Sequence, residues 1–367
     1  MIANKISFFH FVMWAWLGWC PMALAIGSVQ AIHDPAVPDA FNPSAYKAAE
    51  RHQGVLVEAL GNGPDRTYIF SPTDGIGKAL PLVIFLHGWQ GANPKNFGAL
   101  IDHLVRRGSV VLYPVYQRGS NDAPQEITTI AKRSLAQTIE WLGHSHPGRV
   151  MTDRALYFGF SMGATMAINL AAHAPGNGMP SASMLLLSAP GDAHHVHRGP
   201  LGRSILATSL DRVPTSVPVV IMSGAEDSTI GVPTAITYWN QICSQERSKN
   251  LIFWPPGSHG KQNFRTMHGM PGAPDSRYNI ENIDEPFVPI TLAGQAQFSE
   301  SPSLNVLDFH GQWKVITTAL DSLRDRSQPP PWLFTDSKIL RDLGRFDDGK
   351  AYPQAYLETG CPGKPWR

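Results

Sequence analysis

The chain runs to 367 residues with a formal charge of +1, 43% hydrophobic and 16% charged residues, a balance that supplies a sizeable core and excludes overall disorder. Near-neutral charge and the lack of a basic run argue against a nucleic-acid partner, because phosphate binding needs clustered Lys and Arg. One large domain or two small ones fit the length.

The N-terminus reads as an export signal. Lys5 precedes an apolar run from Ile6 to Cys20, and Ala23 and Ala25 form an A-x-A cleavage site. The run is shorter than the ~20 residues of a bilayer span. Residues 1–25 are therefore expected to be removed, leaving a secreted or periplasmic protein that starts at Ile26 and has no stable membrane span. Cys243 and Cys361 then remain, and in an oxidising compartment they are expected to form one disulfide, with two separate buried thiols as the alternative.

A polar lead-in extends to about Asn42, and the stretch "NPSAYKAAERHQG" over 42–54 has a helical pattern. The runs "GVLVEAL" from Gly54 and "RTYIFSP" from Arg66 read as an antiparallel pair across an Asn62–Asp65 turn. From Pro81 onward, continuously apolar runs such as "PLVIFL", "SVVLYP", "ALYFGF", "ASMLLLS", "VPVVIMS" and "NLIFW" alternate with helical patterns. That alternation predicts a parallel sheet covered on both faces. It lapses between Lys261 and Ser303, a stretch too long for an ordinary connection, and a helical period resumes over Leu304–Leu323.

Gly159, Phe160, Ser161, Met162 and Gly163 form a G-x-S-x-G sequence between a strand-like and a helix-like run. A nucleophilic serine must project from such a turn, and only small neighbours let the turn pack. A serine hydroxyl needs a base, and the base an orienting acid. Asp227 and His259 follow later strands in the expected order. Asp227 is preferred to Glu226, which should point away, and to Asp192 on the preceding strand. His259 is preferred to His268, deeper in the loop, and to His310 within a helical pattern.

Over Gly54–Leu323 the chain resembles an α/β-hydrolase. Its "FLHGW", "GFSMGA" and "SGAEDSTI" are similar to bacterial cutinase-like, polyesterase and chlorophyllase-like serine esterases. The resemblance implies a mostly parallel eight-stranded sheet with helices on both faces, and places nucleophile, acid and base on Ser161, Asp227 and His259. It implies a hydrolase domain over 26–323 with a loop insertion at 261–303, and a C-terminal tail at 324–367 that such enzymes lack.

The oxyanion hole is expected from the amides of Met162 and Trp89, with His87 in a structural hydrogen bond that shapes the turn. Tyr116 and Trp254 at strand ends are candidate substrate-binding residues, with plain core as the alternative. His194, His195 and His197 invite a zinc reading, but their spacing marks no closed site, and a loop at the substrate approach is preferred. No metal or organic cofactor is implied. The expected activity is hydrolysis of a small or polymeric carboxylic ester through an acyl-enzyme. Acyl transfer, amide cleavage and a non-catalytic binding role are the alternatives.

Overall fold

Continuous apolar runs become buried strands. The computed structural model describes residues 30–32, 50–74, 79–89, 91–117, 124–174, 178–191, 207–228, 230–280 and 304–361. The leader at 1–25, most of the helical pattern at 42–54, Asp192 and the histidines His194, His195 and His197 lie outside them.

Strands β1 (Gln30–Ile32), β2 (Val55–Leu60) and β3 (Thr67–Pro72) form an antiparallel flank. β4 (Leu80–Leu86), β5 (Val110–Pro114), β6 (Val150–Phe160), β7 (Ser181–Ser188), β8 (Val219–Gly224) and β9 (Lys249–Trp254) run parallel to one another. A small hairpin follows, β10 (Gly257–His259) and β11 (Gln262–Phe264). β12 (Tyr356–Glu358) then adds antiparallel to β9.

The order β1-β2-β3-β5-β4-β6-β7-β8-β9-β12 is an α/β-hydrolase sheet. Its expected eight strands are β2 to β9, and among the described residues β1 and β12 extend the two edges.

The pleat sends alternate residues to opposite faces. Val83, Phe85, Leu156 and Phe158 pack with helices α1 (Gly98–Arg106) and, later in the chain, Lys314–Arg324. Leu82, Ile84, Leu86, Ala155 and Tyr157 pack with α2 (Pro124–Ser145), α3 (Met162–His173) and α4 (Gly231–Ile242). Every residue of β4 is buried, as a central strand covered on both faces requires.

Two C-terminal features bear on the site. Residues 261–280 are folded across the start of α1: the Ala273 and Asp275 amides donate to the carbonyls of Asn96 and Lys95, and Tyr278 donates to Asp102 Oδ1 at 2.8 Å. Asp102 also accepts from Arg106 at 2.7 Å, so its buried charge is paired. Beyond the helix Lys314–Arg324, here α5, Leu333, Leu340, Phe346 and Tyr352 join the core on the α1 side. A disulfide links Cys243 to Cys361, with Cα atoms 4.9 Å apart, so the far end of the chain is fastened to α4.

Candidate active site

β6 ends at Phe160 and α3 starts at Met162, leaving one residue to reverse the chain. Ser161 takes φ 54° and ψ −123°, a conformation sparsely populated by L residues and typical of strain held at a functional turn. The two flanking glycines are required by contact. A Cβ on Gly159 would meet the Gly163 carbonyl oxygen at 2.2 Å, and one on Gly163 would meet the Leu86 carbonyl oxygen at 2.0 Å. The Ser161 amide donates to the Ser188 carbonyl at 3.0 Å, tying the turn to β7.

Ser161 Oγ lies 2.8 Å from His268 Nε2, and His268 Nδ1 lies 2.6 Å from Asp227 Oδ2. Asp227 and His268 are both 3% exposed. With the carboxylate accepting the Nδ1 proton, Nε2 keeps its lone pair for the serine hydroxyl. Asp227 sits where expected, in the turn after β8.

His259, the expected base, is elsewhere. Its Nε2 meets Asp348 Oδ2 at 2.6 Å and its Nδ1 lies 3.2 Å from Lys350 Nζ, on the exposed β10–β11 hairpin. The chain does not turn into the site directly after β9. It first makes this hairpin through Gly260, at φ +60°, pairing His259 with Gln262, and only then returns.

Glu226 fixes where it returns. Its carboxylate accepts from Arg265 Nε at 2.9 Å and from the Thr266 amide at 2.8 Å, lacing the turn after β8 to the loop that carries His268. Burial pushes the Glu226 carboxyl up, but these donors outweigh it and hold it below the usual value. Glu226 therefore points away from the serine, as expected, and also has work to do there. A two-residue Gly260-Lys261 turn between short strand-like runs was the available signal for the hairpin. His310 packs beneath Gly344 and is no member of the hydrogen-bonded run from Ser161 to Asp227.

The oxyanion candidates flank the nucleophile. Met162 opens α3, and amides of a helix's first turn have no partner within the helix. The Gly88–Trp89 turn lies against Ser161, since a Cβ on Gly88 would be 3.1 Å from Ser161 Cβ. His87 holds that turn from below. Its ring nitrogens meet the carbonyls of Gly88 at 2.6 Å and Val115 at 2.8 Å. Complete burial lowers its pKa to about 4, against the pull of those two carbonyls, which favour the protonated ring.

Tyr116 stacks on His87 with centroids 4.0 Å apart and donates to the His87 carbonyl at 2.6 Å. It is fully buried, and Trp254 is 1% exposed beneath Gly311. Among the described residues both are packed as core, the alternative given to substrate binding. Strand ends bring both residues to the rim that carries Ser161, but the segments packed over them make one a support of His87 and the other core.

Residues that the motif reading missed include Gly191, just past β7. A Cβ there would be 2.7 Å from Ser161 Oγ and 3.3 Å from the Met162 amide nitrogen, so the hydrogen at this position leaves room beside the nucleophile. Phe160 also contributes, its ring 5.4 Å from that of His268. Among the described residues no group of His, Cys, Asp or Glu is placed to hold a metal ion.

Residues 66–265 match the dienelactone hydrolase family, more than half of the chain and a span that includes Ser161 and Asp227 but stops short of His268. No curated protein matches the chain.

Proposed function

The chain belongs to the dienelactone hydrolase family, an α/β-hydrolase, and on that premise we propose that it cleaves carboxylic esters, lactones included, through an acyl-enzyme on Ser161. The observation that carries this reading is the run Ser161 Oγ to His268 Nε2 to Asp227 Oδ2, at 2.8 and 2.6 Å. Ser161 attacks the acyl carbon while His268 takes its proton, and Asp227 stabilises the imidazolium. The amides of Met162 and Trp89 receive the oxyanion. His268 returns the proton to the leaving alcohol, and water then clears the acyl group by the same steps in reverse.

No helix among the described residues is long and apolar enough to cross a membrane. The Cys243–Cys361 bond suits an oxidising compartment, which together with the leader motif supports export.

Hydrolysis of short-chain p-nitrophenyl esters by wild-type and Ser161→Ala protein tests the reading. Loss of all but the ~10³-fold residual acceleration that binding and an oxyanion hole supply alone, with loss of labelling by a fluorophosphonate, is expected. A variant that keeps most of the turnover refutes it.

A further inference from the structure

Gln312 is a buried amide that the reaction as described does not use. It is 1% exposed and lies in a π-helical turn, Asp308–Trp313, just before α5. Ser188 Oγ donates to its Oε1 at 2.5 Å, and its Nε2 donates to the Pro271 carbonyl at 3.3 Å. Both partners lead to the site. The carbonyl of Ser188 accepts from the Ser161 amide, so one end of the amide is fastened to the nucleophile's own strand neighbour. Pro271 follows His268 by three residues, across turns in which Met270 donates to Met267 and Gly272 to Gly269.

A primary amide is costly to bury unless satisfied, and an apolar side chain would fill this position if packing were its only task. Single π-turns recur where a helix must aim a side chain into a functional site. Resting on the serine-hydrolase reading above, we propose that Gln312 is a positioning residue that spans β7, the strand beside the nucleophile's, and the base loop and sets His268 Nε2 on Ser161 Oγ. Glu226 holds the front of that loop and Gln312 its rear, so the histidine is fixed from two sides.

Two variants test this, each normalised to sites titratable by a fluorophosphonate, with p-nitrophenyl butyrate hydrolysis followed from pH 5.5 to 9. Gln312→Met keeps the length and removes both hydrogen bonds. Its kcat should fall 10- to 100-fold, the range a misplacement of about 1 Å produces, with KM changed less than threefold. Gln312→Glu keeps the shape. Protonated, its carbonyl accepts from Ser188 and its hydroxyl donates to Pro271; ionised, it loses the donor. Its rate relative to wild type should therefore be near 1 at pH 5.5 and drop at least tenfold towards pH 9.

A merely structural amide predicts no such pH-dependent ratio. Wild-type kcat in Gln312→Met, or a wild-type rate at pH 9 in Gln312→Glu, overturns the proposal. Gln312→Glu also serves if Gln312→Met does not fold. Wild-type protein that resists the fluorophosphonate overturns the hydrolase reading and this proposal together, a result distinguishable from failure of Gln312 alone.

Discussion

The most discriminating perturbation compares two histidines nine positions apart, His259 and His268. His268 is 3% exposed and bonded to both Ser161 and Asp227, so His268→Ala removes the imidazole that meets the Ser161 hydroxyl. Loss of a general base from a Ser-His-Asp unit lowers kcat by roughly 10³- to 10⁶-fold, which at ~1.36 kcal/mol per tenfold is about 4–8 kcal/mol of transition-state stabilisation. His259→Ala removes a pairing whose side chains are 31% and 60% exposed, where solvent screens the attraction. Its kcat/KM should stay within twofold of wild type. Steady-state kinetics on a p-nitrophenyl ester, with active-site titration and circular dichroism to normalise for folded protein, measure both. A His259→Ala protein that loses more than 100-fold while His268→Ala retains a tenth of the activity refutes the assignment.

Other perturbations have equally definite outcomes. Gly191→Ala should lower kcat/KM at least 100-fold with little change in melting temperature, since its methyl would sit 2.7 Å from Ser161 Oγ; an unchanged rate shows that the loop after β7 does not crowd the nucleophile. Burial pushes Asp308 from 3.8 up to about 8, only partly offset by backbone amides. The folded state then holds a proton that the unfolded chain has released, so between about pH 4 and pH 8 this group makes stability fall as pH rises. Asp308→Asn should flatten that slope, gaining in melting temperature over wild type at pH 8 more than at pH 5; an equal gain at both counts against the shift. Replacing Cys243 and Cys361 by Ser opens a loop with a sequence separation of 118 residues, for which chain entropy estimates about 5 kcal/mol. Urea unfolding should show a loss of that order with esterase activity intact at 25 °C, and unchanged stability would count against the cross-link.

What could be read along the chain was what near neighbours control. Gly159 and Gly163 are dictated by contacts around a single turn, and the apolar runs flanking Ser161 announce a strand and a helix by period alone. Asp227 was legible for a similar reason, because a short turn after a buried strand leaves few places for it to go. The two cysteines outside the N-terminal apolar run named the disulfide, although only the fold could bring their Cα atoms to 4.9 Å. The base was decided by tertiary structure. Whether His259 or His268 reaches Ser161 depends on a hairpin inserted after β9, on Glu226 catching Arg265 and Thr266, and on Gln312 reaching Pro271 from the π-helical turn before α5. Tyr116 and Trp254 were placed at the correct rim, yet the segments packed over them, not their strand positions, determined that they are buried. Periodicity and turn sterics act over a few residues, whereas the meeting of loops is set by packing between segments 40 to 107 residues apart, and that information is carried by no local stretch of the sequence.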